Sequence, residues 1–94
     1  MTEFMLADNC KLGLMPETGI NKILSGKTPS PSLGNGIPRC ELYLYRADMD
    51  EISQRLITAG AKEISPVQLR SWGDIAGYYS DPDGHIIVIA KSSH

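Results

Sequence analysis

The 94 residues are 41% hydrophobic and 21% charged, a balance that fits one small folded domain and argues against a largely disordered chain. The formal charge of −2 comes with no cluster of Lys and Arg, which argues against nucleic acid as a partner, because phosphate binding needs grouped cations that release counterions. Cys10 and Cys40, the two cysteines, are too few for a disulfide framework and too distant for a local metal knuckle, so free thiols are expected.

The chain has no apolar run of about 18 residues, which excludes a membrane helix and leaves no membrane among its expected partners. The opening MTEFMLADNC lacks the basic and apolar regions of a secretory leader, and a cytoplasmic location is the expectation.

TEFMLADNCKLGLMP alternates apolar and polar residues around Asp8-Asn9, the pattern of two short strands joined by a turn. Residues 17–39 are rich in Gly and Pro, with no sustained period in GKTPSPSLGNGIP. They read as a linker loop with at most one helical turn around INKIL. RCELYLYR then reads as a strand with Cys40, Leu42 and Leu44 on one face and Glu41, Tyr43 and Tyr45 on the other.

DMDEISQRLITAGA carries the strongest helix signal. Asp48 is the expected N-cap with Glu51 three residues on; Met49, Ile52, Leu56 and Ile57 form the apolar face, and Gly60 is the stop. KEISPV, GDIAGYYS and HIIVIAK read as strands, the last two joined by the DPDG turn. Residues 40–91 therefore run strand, helix, strand, strand, strand, an α+β pattern.

This order, with AGA, WGD and DPDGHI at their positions, resembles the second module of the glyoxalase, bleomycin-resistance and extradiol dioxygenase (vicinal oxygen chelate) superfamily. The resemblance implies a βαβββ module over 40–94, in which a curved, mostly antiparallel sheet carries one helix on its convex side. Residues 1–16 are similar to the last two strands of a first module whose opening strand and helix do not precede them. On this reading 1–16, the 17–39 linker and 40–94 form one structural domain. An unfinished sheet exposes backbone groups and apolar surface, so a homodimer, with or without exchanged elements, is expected.

The family's enzymes hold a divalent metal through His, Gln or Glu on the first and last strands of each module. In this sequence those positions fall on Glu41, Val88 and Gly13. Only Glu41 can ligate, and one carboxylate rarely holds an ion. His85, just past the tight turn, and the terminal His94 do not replace the lost ligands, so neither a metal site nor another cofactor is expected.

Glu41 is the candidate catalytic residue. In a dry cavity its charged form would be disfavoured, preparing it as a general base; the alternative is a structural ion pair with Lys11 or Arg39. Period-2 alternation puts Tyr43 and Tyr45 beside it, and Lys11 and Met15 flank Gly13 on the same expected cavity face. Trp72 stands at the rim. Tyr78 and Tyr79 are successive, so one of them must face the helix.

Two functions follow from the resemblance. One is metal-free binding of a small organic molecule, as in bleomycin-resistance proteins. The other is a lyase, isomerase or dioxygenase whose site is completed by a partner subunit. Cys10 and Cys40 have no neighbouring His, and no G-x-S-x-G occurs, so nucleophilic catalysis has no support in the residues.

Overall fold

A computed structural model describes residues 2–93. The chain forms two compact units, 1–35 and 36–94, and their boundary falls inside the segment expected to be a linker.

In the first unit, β1 (Thr2–Ala7) and β2 (Cys10–Leu14) form the expected antiparallel hairpin, with Phe4 opposite Leu12 and Glu3 opposite Gly13. The segment after the hairpin is more regular than its composition suggests, because α1 spans Glu17–Leu24 where at most one helical turn was expected. Pro16, extended at φ −60°, occupies its N-cap position and Glu17 its first turn, where an acid suits the exposed N–H groups. Ser25 closes the helix in the left-handed region at φ 53° and bonds back to the Lys22 carbonyl. A short 3₁₀ turn covers Pro31–Gly34.

The second unit is a four-stranded sheet with one helix. Its elements are β3 (Glu41–Tyr45), α2 (Met49–Thr58), β4 (Lys62–Leu69), β5 (Asp74–Ser80) and β6 (Ile86–Ser92), and the strand order is β3-β6-β5-β4. β3 runs parallel to β6, while β5 is antiparallel to both β6 and β4. β3 and β4 are therefore the sheet edges.

The helix packs on one face of this sheet through Met49, Ile52 and Leu56, which meet Leu44, Tyr79, Ile87 and Ile89. Ile57 lies outside that contact and is 48% exposed; eight positions beyond Met49, it has rotated past the edge of the apolar stripe. Tyr79 is the tyrosine that faces the helix, and its buried hydroxyl donates to Ser53 Oγ at 2.7 Å. That bond satisfies the phenol and ties α2 to the centre of the sheet.

Both ends of α2 show how the local sequence sets its limits. Asp48 occupies the N-cap position but makes no side-chain cap bond. Its carboxylate is held instead by the Arg46 guanidinium, Nε to Oδ1 at 2.9 Å and Nη2 to Oδ2 at 2.8 Å, a bidentate charged pair that outcompetes a single N–H. At the other end Gly60, at φ 106°, lets the Ala61 and Gly60 N–H groups reach the Leu56 and Ile57 carbonyls, which satisfies the last turn.

β4 continues through Pro66 for eight residues, past the end expected at Val67. Between Ser65 opposite Tyr78 and Gln68 opposite Ala76, Pro66 and Val67 face the single residue Gly77, which is a β-bulge. Proline has no N–H to offer the ladder, and Arg70 repairs the defect. Its guanidinium donates to the carbonyls of Pro66 (2.8 Å) and Ala76 (3.0 and 3.1 Å) and to Ser65 Oγ (3.0 Å), and it lies 5.0 Å from the centre of the Tyr78 ring.

Candidate functional site

Strand parity puts Glu41, Tyr43 and Tyr45 of β3 on the sheet face away from α2. Ala76 and Tyr78 of β5, and Ile86, Val88 and Ala90 of β6, share it. Val88 and Ala90 pair with Tyr43 and Tyr45 in the parallel ladder. Ala76, Val88 and Ala90 are fully buried and form an apolar floor on which Tyr43, Tyr78 and Ile86 pack.

Ala90 stands between Tyr45 of β3 and Ala76 of β5, and two tyrosines of β3 reach across β6. Both end on one carboxylate oxygen. The Tyr43 hydroxyl donates to Asp74 Oδ2 at 2.6 Å and the Tyr45 hydroxyl to the same atom at 3.0 Å. Trp72 Nε1–H donates to the Tyr43 oxygen at 3.0 Å. The two tyrosine rings meet edge to face, with centroids 5.4 Å apart.

Trp72 reaches this position because the chain turns between β4 and β5. Gly73 N–H bonds to the Arg70 carbonyl, and Arg70 N–H to the Asp74 carbonyl. The Ser93 hydroxyl and N–H both donate to the Gly73 carbonyl, which fastens the turn to the chain after β6.

The electrostatics follow from these contacts. Partial burial and the Asp74 carboxylate beside it raise the Tyr43 phenol above its ordinary value, although the Trp72 N–H acts in the opposite sense. The bond to Asp74 raises Tyr45 as well. Both phenols therefore remain protonated donors through neutral pH, and Asp74 is solvated by neutral hydroxyls. Among the described residues no lysine, arginine or histidine forms an ion pair with it.

Three of the expected site residues, Tyr43, Tyr45 and Trp72, are thus brought together, but the carboxylate that joins them is Asp74. Glu41 stands opposite Ile86 and Asp74 opposite Ser92, six residues or roughly 20 Å of strand apart along β6. Glu41 is exposed, so it lacks the burial that would prepare a general base. Among the described residues of its own unit it has no ion-pair partner, Arg39 included.

Lys11 lies in the first unit, where it pairs with Glu3 at 2.7 Å. Met15 follows β2 in the same unit, its Cε near Gly19. Sequence pattern does not single out Asp74, although WGD contains it, because its role depends on register across β6. The usable signal is its position two residues after Trp72, at the first residue of β5.

Elsewhere, Asp81, Asp83 and His85 bring their ligand atoms within 4.8 Å of one another at the turn between β5 and β6. Asp81 Oδ1 accepts the backbone N–H groups of Asp83 (3.0 Å) and His85 (2.8 Å). His85 is therefore part of a turn ordered by an aspartate. Cys10 and Cys40 are free and exposed. Among the described residues no helix is long and apolar enough to cross a membrane.

The chain is similar to uncharacterized proteins of Mycobacterium bovis and Mycobacterium tuberculosis. Over 72 residues it is 31% identical to each, covering 77% of this chain and 47% of the M. bovis protein or 42% of the M. tuberculosis protein. It spans less than half the length of these relatives. No family model matches the chain, and no solved structure matches it.

Proposed function

We propose that β3 to β6, within the segment expected at 40–94, form a βαβββ module of the glyoxalase and bleomycin-resistance type, which binds a small planar organic molecule on the sheet face away from α2. The strand order β3-β6-β5-β4, with first and last strands parallel and the helix on the opposite face, supports the module reading. The observation that carries the binding reading is the cluster of Tyr43, Tyr45, Trp72 and Asp74. Tyr45 is 65% exposed and Trp72 56% exposed, yet their polar atoms are turned onto their neighbours. Aromatic surface held in fixed positions and left in water suits stacking with a planar ligand.

Binding of this kind calls on no metal, and the fully buried Val88 places apolar packing at one of the family's ligand positions. In the same reading two copies associate, because β3 and β4 are sheet edges and β4 leaves Ile64, Val67 and Leu69 exposed. Sedimentation at micromolar concentration tests that association, and a compact monomer refutes it.

The single tryptophan makes the binding test direct. Planar heteroaromatic compounds should shift the Trp72 indole N–H resonance saturably, and Tyr45→Ala should weaken the response. If no member of a chemically varied planar set shifts that resonance at millimolar concentration, the reading fails.

A further inference from the structure

The binding reading leaves open the charge of the ligand, and the hydrogen bonds of the cluster bear on it. Each ring in it carries one polar hydrogen, and all three are spent internally: Tyr43 and Tyr45 on Asp74, Trp72 on Tyr43. A ligand approaching this surface meets π-electron density and a carboxylate, with no side-chain donor from the rings. An anion would find no free donor on these three rings and a carboxylate beside them. A neutral ring would gain stacking alone, whereas a cation would gain stacking, attraction to the ring quadrupoles and attraction to Asp74.

The donors of the two nearby guanidinium groups are already committed. Arg70, on the same face, directs its guanidinium to Ser65, Pro66, Ala76 and the Tyr78 ring. Arg46 is engaged by Asp48. The Asp74 carboxylate is thus hydrogen-bonded by neutral hydroxyls, and no described cation is paired with it.

We propose that the Tyr43–Tyr45–Trp72–Asp74 cluster selects organic cations, a planar aromatic carrying a quaternary or protonated nitrogen, with Asp74 as the counter-ion and the exposed rings of Tyr45 and Trp72 as the stacking surface. The inference rests on the binding reading above and adds the charge of the ligand to it.

The test compares three probes of similar shape by calorimetry and by the Trp72 indole resonance: N-methylquinolinium, quinoline at mildly alkaline pH where it is uncharged, and naphthoate. The expected result is that the cation binds about tenfold more tightly than quinoline, loses affinity as salt is raised, and that naphthoate binds weakest. Asp74→Asn keeps an oxygen to accept the two phenols and removes the charge, so it should take away most of the cation's advantage, leaving only the part owed to the rings, and leave quinoline unchanged. Glu41→Gln, at the far end of β3, should change none of the three.

Equal binding of cation and neutral probe, or a preference that Asp74→Asn leaves undiminished, overturns the cation inference and leaves small-molecule binding standing. If none of the three probes binds while other planar compounds do, the cation inference alone falls. Should Asp74→Asn fail to fold, the salt dependence of the native protein decides, and a cation affinity indifferent to salt overturns the proposal.

Discussion

Replacing Gly77 with alanine tests how the bulge in β4 is accommodated, and the structure sets the scale of the effect. A Cβ at position 77 would lie 2.7 Å from Val67 Cγ2 and 3.3 Å from both Cε2 and the hydroxyl oxygen of Tyr79. Carbon atoms in contact prefer about 3.5–4.0 Å, so Val67 must retreat by roughly 1 Å.

Neither neighbour yields easily. Val67 is β-branched, stiff at χ1 and fixed in the bulge, while Tyr79 is 3% exposed and tied to Ser53. Overpacking of this kind costs about 1–3 kcal/mol, and the reduced freedom of the unfolded chain returns about 0.4–1 kcal/mol. The net destabilisation is about 1–2 kcal/mol, a fall in Tm of about 5–15 °C for a domain of this size.

Thermal and urea unfolding followed by circular dichroism measure it. Val67→Ala, at a position 42% exposed, should cost less than about 1 kcal/mol alone and remove most of the Gly77→Ala penalty when the two are combined. A Gly77→Ala protein as stable as the parent, or one equally penalised in the Val67→Ala background, would refute the reasoning.

The phenols give a pH prediction. Folding raises Tyr43 and Tyr45 above their ordinary value near 10, so it favours their protonated forms. The associated stability is complete below that value and is lost as pH rises through the higher folded values. Ultraviolet absorbance should show two late phenolate transitions that move back toward the ordinary value in Asp74→Asn, and an unchanged titration curve would contradict the shared carboxylate. At the β5–β6 turn, Asp81→Ala strands the two N–H groups that Oδ1 accepts and should cost about 1–2 kcal/mol in urea unfolding. Asp81→Asn, which keeps an oxygen acceptor, should cost clearly less, and equal losses for the two variants would argue against the hydrogen-bond account.

Much of the second unit was legible because its signals are local. Alternation in ELYLY determined which β3 side chains share a face, and the apolar spacing of Met49, Ile52 and Leu56 determined how α2 lies. DPDG marked the turn before β6. The weaker readings came from competition that a linear pattern does not display. Asp48 has the position of a capping residue, but Arg46 two positions earlier holds its carboxylate bidentately. Pro66 has the look of a strand's near end, but Arg70 replaces the missing ladder bonds and lets β4 continue.

The site divides along the same line. By itself the sequence determined that Tyr43 and Tyr45 point the same way, since strand parity is a property of the backbone, and it brought Trp72 forward as a rim residue. Which carboxylate they meet was decided only by tertiary structure. Glu41 shares their strand and parity, but Asp74 lies across β6, opposite Ser92, where two phenols and an indole converge on it. Register between strands distant in sequence is set by the packing of whole faces, so a carboxylate two residues away along the chain can stand apart from a cluster that one from another strand completes.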